Sequence, residues 1–472
     1  LTQAGKSRIY TFAVVAILDA ILILQVWGAF AAAQTPTSEP TGFLKAQGRW
    51  IVDESGNIVL LRGVNFFGYE FGLWSSHTEA GYARIASWGF NVVRLPLAWS
   101  YIEPKAGKYD DNYFRLHVDK DIEWAKEYGL YVILDMHQYA WSPRFTYIHT
   151  AAGLPIWSQS GYPNSAEGEA RAKADFWNGV GPNGSPSSSA NPSMQERFIA
   201  MWKYVATRYA NETTVAGYDI FNEPDVTRCS SDNKICYLQY PQFSQTVIAF
   251  LERVVDAVRQ VDSHHMFLWE TASWEFDPGI LAVNRTDVVY SPHYPGGGTG
   301  NTIFLYKDKA RLEASVKAMM DLSQKWNQPV FLGEWGITFD APNATDYIDD
   351  LASLTDANLV GWAWWAYGST DGFGMYLLDI NGNPHRVFTE TLIRPYVRTS
   401  SNGGLLSSSL DTNTRKFTIY LTGPVTLQIC VPVGYSVLTV TADRGTPSWN
   451  TFSDALSVSV NGAASQLSVA FG

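Results

Sequence analysis

Eight short apolar runs recur along the chain, each followed by a longer amphipathic stretch, and this alternation constrains the fold more than any other feature. The runs are Val59–Phe66, Asn91–Leu95, Tyr131–Asp135, Gly217–Phe221, Met266–Glu270, Val288–Ser291, Val330–Gly333 and Val360–Trp364. Thr78–Trp88, Arg115–Tyr128, Met194–Ala210, Pro241–Val261, Lys309–Trp326 and Thr345–Asn358 lie between them and read as crossover helices. Strands of this kind, each followed by a helix, imply a parallel sheet buried on both faces. Eight such units predict an α/β fold, a (β/α)8 TIM barrel over residues 42–396, with an open doubly wound sheet as the alternative. No Gly-x-Gly-x-x-Gly follows the first run, and Gly296-Gly297-Gly298 lacks the Lys-Ser/Thr of a phosphate loop, so no nucleotide site is expected.

Beyond Arg394-Pro395-Tyr396 the pattern changes. Residues 399–409 are polar and glycine-bearing, and Phe417–Leu421, Val425–Val431 and Val437–Thr441 then alternate apolar with polar side chains. Residues 397–472 therefore read as a small antiparallel β-sandwich, either a structural buttress or a carbohydrate-binding module. A further irregular segment, Ala140–Pro192, separates the third run from the next helix; it is rich in Ser, Pro, Gly, Asn and Trp and reads as a long functional loop.

At the other end, Lys6 and Arg8 precede an apolar run from Ile9 to Phe30, then Ala31-Ala32-Ala33 and a polar linker over residues 34–41. Residues 1–33 have the layout of a secretory signal peptide, with a retained membrane anchor as the alternative, although Asp19 would be costly at the bilayer centre. A secreted or cell-surface protein is expected. Of three cysteines, Cys229 and Cys236 flank a polar loop and are a disulfide candidate in an exported chain, while Cys430 lies in a strand-like run. The net charge of −11 has the wrong sign for neutralising phosphates, which argues against nucleic acid or an anionic membrane surface as partner. The 18 Trp, 25 Tyr and 24 Phe exceed what a core of this size requires, and sugar faces are one common partner of such a surplus.

Two glutamates stand where a barrel performs chemistry. Asn222-Glu223-Pro224 follows the fourth run and Glu334 follows Phe331-Leu332-Gly333 at the seventh, so both are expected at the C-terminal face of the barrel. A carboxylate pair is the minimum for cleaving a glycosidic bond: one group, held protonated, gives its proton to the leaving oxygen, and the other, ionised, attacks the anomeric carbon or activates water. Strand-end lysines and clustered metal ligands are missing, so no cofactor and no metal are expected. An inactive carbohydrate-binding barrel is the non-enzyme alternative, but it has no reason to keep both glutamates.

With Val93-Arg94-Leu95-Pro96, Asp135-Met136-His137-Gln138 and His293-Tyr294-Pro295 added, the chain resembles glycoside hydrolase family 5, of the clan of retaining (β/α)8 β-glycosidases, over nearly all of its mature length. The resemblance implies that Glu223 is the general acid/base, Glu334 the nucleophile, and Asn222 the group that holds the sugar 2-hydroxyl. It makes Arg94 the support of the ionised nucleophile, and His137 the lining of the subsite beside the cleaved bond. Trp365 or its neighbour Trp364 matches the eighth-strand sugar platform, and Asn65 and Gln138 join the expected substrate-binding set. His293 matches the sixth-strand histidine; where the family has His-any-Tyr, this chain reads His293-Tyr294, so Tyr294, through a shifted backbone, takes the tyrosine's place, with Tyr290 as the less favoured alternative. Within the family the chain resembles the endoglycoceramidase-like group, which separates oligosaccharide from a lipid aglycone. That likeness rests on Leu134-Asp135-Met136-His137-Gln138 with the long insertion after it, on Leu392-Ile393-Arg394-Pro395-Tyr396, and on the appended β-module. The group often has Asp where this chain has Tyr139. A β-linked glycan or glycolipid is the expected substrate, with membrane contact through the N-terminal segment or the lipid; endo-β-1,4-glucanase, mannanase and exo-β-glucosidase activities would use the same site.

Overall fold

The computed structural model describes residues 42–472 except 139–140, 146–151, 182–183, 190, 225–228, 232–233, 237–241, 271–279, 294–305, 307, 370–373 and 463. The signal or anchor segment and its linker, Tyr294 and Tyr139 lie outside the described residues. Among the described residues no helix is long and apolar enough to cross a membrane.

Eight parallel strands build the central sheet: Arg62–Phe66, Val92–Leu97, Tyr131–Met136, Val215–Asp219, Met266–Trp269, Val288–Tyr290, Phe331–Trp335 and Gly361–Tyr367, numbered here first to eighth. The eighth pairs with both the first and the seventh, and parallel bridges Tyr290↔Val330 and His293↔Glu334 join the sixth to the seventh, closing a (β/α)8 barrel. Helices Glu79–Ser87, Asp119–Glu127, Met194–Tyr209, Gln242–Val258, Lys309–Trp326 and Ala344–Asn358 cross over where the amphipathic stretches predict. Their starts are encoded locally. Thr78 caps the first through Gly81 N–H, and Ser193 forms a reciprocal capping box with Glu196.

Because side chains alternate across a strand, every second residue points into the barrel. Val92, Ile133, Leu268, Val289, Phe331 and Ala363 form an apolar interior floor, sealed with Leu44, Ile51 and Leu61. One step of two further along the strands the residues become Arg94, Asp135, Glu270, Ser291, Gly333 and Trp365, so a dry floor carries a polar layer above it. The helices pack outside the barrel against the opposite faces of the strands, through residues such as Val93, Leu95, Trp202, Leu332 and Trp362.

Three details depart from expectation. The run Val59–Phe66 is two strands, Ile58–Val59 and Arg62–Phe66, serving different sheets. The segment Ala140–Pro192 is not wholly loop: it contains a helix, Ala166–Trp177, capped by Ser165 and buried through Phe176 and Trp177. Its serines and glycines, read as loop composition, act there as helix cap and turn residues. The polar stretch after residue 399 contributes strand Leu405–Asp411, in which Leu405, Ser408 and Leu410 are buried while Leu406, Ser409 and Asp411 are exposed.

The C-terminal region is a β-sandwich. A four-stranded antiparallel sheet packs Phe417, Ile419, Leu467 and Val469 against Leu427, Ile429, Leu456 and Val458 of a seven-stranded sheet. That larger sheet takes three strands from before the barrel, Lys45–Gln47, Trp50–Val52 and Ile58–Val59, the last pairing with Tyr396–Ser400. The sandwich docks on the end of the first helix. The Gly89 carbonyl accepts hydrogen bonds from Tyr396 OH at 3.1 Å, Arg398 Nη2 at 3.1 Å and the buried Cys430 thiol at 3.4 Å. Gly89 has φ +87°, and a Cβ there would lie 2.5 Å from Cys430 Sγ. Gly89→Ala is therefore expected to destabilise the protein by about 2–4 kcal/mol, from backbone strain plus overpacking, read as a lower urea midpoint with the catalytic constants of the folded fraction unchanged.

Candidate active site

The polar layer is organised by Arg94, which is fully buried on the second strand. Its Nε donates to Asp219 Oδ2 at 2.9 Å, Nη1 to Asn65 Oδ1 at 2.9 Å and to Glu334 Oε1 at 2.8 Å, and Nη2 to Asn222 Oδ1 at 2.8 Å. Asp135 Oδ1 adds an ion-pair contact at 3.1 Å. Burial works against the guanidinium charge, but Asp135, Asp219, Glu334 and Glu270 hold its pKa above the ordinary arginine value. The planar fork thus fixes residues from the first, second, third, fourth and seventh strands in one layer.

Glu334 is the penultimate residue of the seventh strand, with its carboxylate between Arg94 and His293, whose Nδ1 lies 3.8 Å from Oε2. Burial pushes its carboxyl above the usual range; His293, Arg94 and His137 oppose that rise, and Glu223 adds to it. The preceding Gly333 is required by space, since a Cβ there would lie 2.7 Å from both His293 Nε2 and Ser291 Oγ. Glu223 follows the fourth strand in a left-handed turn, φ 41°, a conformation that costs a non-glycine residue about 1–2 kcal/mol. Its half-buried carboxylate approaches His293 Nδ1 at 3.0 Å. Ligand atoms of Glu223, His293 and Glu334 all lie within 4.8 Å of one another, making them the one group among the described residues compact enough to share a cation. An ion there would tie up both carboxylates at the place where they face each other.

His137 immediately follows the third strand and hydrogen-bonds Asp135 Oδ2 through Nδ1 at 2.7 Å. Burial alone would lower its pKa, but Asp135, with Glu334 and Glu70, carries it up to about 9, so the ring is cationic at neutral pH. It stacks on Trp365, ring centroids 5.3 Å apart and planes 10° from parallel. Trp365 also belongs to an apolar wall with Phe67, Met375, Tyr376 and Phe71.

Of the residues expected at the site, Glu223, Glu334, Arg94, His137, Asn222, His293 and Trp365 converge; three expected to face substrate do not. Trp364 points outward into the core, its indole donating to Met375 O at 2.9 Å, because strand parity puts Trp365 inside. Asn65 is wholly buried, its amide accepting from Arg94 and donating to Gly333 O at 2.9 Å. Gln138 spends its amide on backbone, donating to Glu223 O at 2.5 Å and accepting from Trp141 N at 3.0 Å, so it secures the Glu223 turn. Hairpin strands Cys229–Ser231 and Lys234–Cys236 pair Cys229 opposite Cys236; the side chains, and so the disulfide, lie outside the described residues. Asp135, Asp219 and Glu270 were missed. Each is an acid at the end of an apolar strand, and that position was the available signal.

A closed (β/α)8 barrel whose C-terminal face brings two carboxylates together beside a buried arginine and two histidines has the features of a glycosidase. Residues 52–371 match the cellulase family, glycosyl hydrolase family 5, and the chain belongs to that family, an enzyme hydrolysing O-glycosyl bonds. It is similar to an endoglucanase of Paenibacillus polymyxa, 25% identical over 72% of this chain and 83% of that protein. It is also similar to endoglycoceramidase I of Rhodococcus hoagii (strain 103S), 24% identical over 74% of this chain and 73% of that protein. A crystal structure of an endogalactoceramidase shares the fold, with TM-score 0.70 and 22% identity over 91% of this chain and 99% of that one.

Removing the Arg94 fork leaves buried carboxylates without their counter-charge. Arg94→Met is expected to cost about 3–5 kcal/mol in stability, measured by thermal or urea unfolding. Arg94→Lys should keep more of the stability, yet lose most of the kcat, because an ammonium cannot hold Asp219, Asn222 and Glu334 in one plane.

Proposed function

We propose that the protein is a retaining β-glycosidase working by double displacement. The observation that carries this reading is the approach of the Glu223 and Glu334 carboxylate oxygens to within 4.8 Å. Retaining enzymes keep their carboxyl groups about 5–5.5 Å apart, whereas inverting ones need roughly 6.5–9.5 Å to admit a water. Glu334, paired with Arg94, attacks the anomeric carbon; the glycosidic C–O bond breaks as Glu223 gives its proton to the departing oxygen. In the second half, Glu223 takes a proton from water, whose oxygen attacks the anomeric carbon and releases Glu334. Asn222 already uses Oδ1 on Arg94 and one amide N–H on Gln138 O at 3.0 Å, which leaves its second N–H for a sugar hydroxyl. Trp365 and cationic His137 line the neighbouring subsite, and Tyr294 is assigned to the nucleophile from the family pattern.

For the substrate, the proposal is a β-linked oligosaccharide joined to a lipid or other apolar aglycone. In support, the apolar wall of Phe67, Phe71, Trp365, Met375 and Tyr376 adjoins the catalytic pair. Leu73, Trp74 and Phe339, which follow the first and seventh strands on the catalytic face, are 44%, 37% and 47% exposed. The similarity to endoglycoceramidase I agrees with this reading, and the amino-terminal charge and hydropathy pattern supports export to the cell surface or beyond. The similarity to the endoglucanase favours a second reading, endo-β-glucan cleavage at the same site.

Glu223→Gln is expected to abolish cleavage of glycosides with poor leaving groups while sparing the glycosylation of activated aryl glycosides, and Glu334→Gln to abolish both; equal loss on both substrates in Glu223→Gln would overturn the role assignment. The first-formed sugar should be the β-anomer by NMR, since an α-product contradicts retention. Incubation with a β-linked glycolipid and, separately, soluble β-glucan and mannan decides the substrate: intact oligosaccharide from the lipid supports the proposal, and cleavage of polymer alone transfers it to the second reading. A chelator should leave all of these rates unchanged.

A further inference from the structure

A third carboxylate stands behind the acid/base glutamate. Glu270, immediately beyond the fifth strand, is buried, and its Oε1 accepts the backbone N–H of Glu223 at 2.7 Å. The same oxygen lies 3.4 Å from Nε2 of His293, whose Nδ1 faces Glu223 Oε1 at 3.0 Å. Glu270 therefore reaches Glu223 by two routes. One is the peptide of the left-handed turn from which the Glu223 side chain springs; the other is the imidazole against which that side chain rests.

Both routes bear on where the Glu223 proton sits. A residue at φ 41° is held there by its surroundings, and Glu270 supplies a strong acceptor for the N–H that this turn directs inward. On the second route, a carboxyl oxygen 3.4 Å from Nε2 favours the tautomer with its N–H on that side, which sets what Nδ1 presents to Glu223. The groups facing Glu270 are Glu223, Asp219, Arg94 and His293. Burial, with Glu223 and Asp219 beside it, pushes the Glu270 carboxyl well above the ordinary glutamate range, and Arg94 with the Glu223 N–H opposes that rise, so a carboxylate in this position costs stability unless the site uses it. A purely structural acceptor for one N–H needs no charge, and a glutamine or a backbone carbonyl would serve.

We propose that Glu270 is a positioning residue for proton delivery, holding the Glu223 turn and the His293 ring in the arrangement from which Glu223 protonates the leaving group. The inference rests on the reading of Glu223 as acid/base. It is tested with Glu270→Gln, which keeps an acceptor for the Glu223 N–H but removes the ionisable carboxyl, and Glu270→Ala, which removes both. For a glycoside with a poor leaving group, kcat/KM of Glu270→Ala is expected to fall about ten- to a hundredfold, a part of the roughly 10²- to 10⁴-fold that general acid catalysis supplies. For a dinitrophenyl glycoside, kcat/KM should stay near wild type while kcat and KM fall together, because the glycosyl-enzyme accumulates when its water attack is slowed. Glu270→Gln should show the same selectivity at smaller size, so the test stands on this variant if Glu270→Ala does not fold. Equal loss on both glycosides, or wild-type kinetics in Glu270→Gln, overturns the proposal. Glu223→Gln, assayed alongside, separates the two ideas. Leaving-group selectivity there but not in the Glu270 variants defeats only the role of Glu270; its loss in Glu223→Gln defeats the acid/base assignment itself.

Discussion

Everything at the catalytic face depends on burying one guanidinium. A charge sunk in a barrel interior is tolerable only if its donors are matched in direction and its charge is balanced, and Arg94 meets both conditions with Asp219, Asn65, Glu334, Asn222 and Asp135. These partners come from four strands, the first, third, fourth and seventh, so the ion cluster is also a register gauge. A strand slipped by one residue would turn its polar partner outward and put an apolar side chain in its place. The apolar floor beneath the cluster keeps water from weakening it, and the cluster holds the nucleophile against its own tendency to lose charge on burial.

Barrel closure and catalytic geometry are one event. The sixth and seventh strands meet through bridges, of which His293↔Glu334 joins a histidine of the site directly to the nucleophile. Gly333 permits it, because no other residue leaves room for the His293 ring beside the strand. Glu334 is thus placed by backbone pairing and by the buried Arg94 fork, and Glu223 by the turn that Gln138 and Glu270 hold through its backbone.

Much of this was legible in the sequence, for a physical reason. An apolar strand that stops at a polar residue marks a strand end, and a barrel gathers strand ends, so Glu223 and Glu334 declared themselves, whereas Arg94, inside its strand, and His137 were marked by the family resemblance. Parity would also have separated Trp365 from Trp364, since Ala363 belongs to the interior floor and residues two apart share a face. Asn65 and Gln138 misled because a polar residue at a strand end serves equally well to hold a neighbour as to hold a ligand, and only the direction of its amide distinguishes the two. Glu270 left no motif: its role depends on the φ of Glu223 and on a ring from another strand. The helix Ala166–Trp177 was hidden by the serines, glycines and prolines around it.

The pairing of Ile58–Val59 with Tyr396–Ser400 has a consequence for how the chain is partitioned. Residues from before the first barrel strand and after the last helix share one sheet, and only Leu60 and Leu61 separate Val59 from the barrel's first strand. The sandwich is therefore a clasp fastened across the two ends of the barrel segment, not a pendant module on a tether. Such a clasp confines the ends of the barrel segment in the folded molecule as a covalent cyclisation would, so loosening either domain loosens the other and the two share a single unfolding fate.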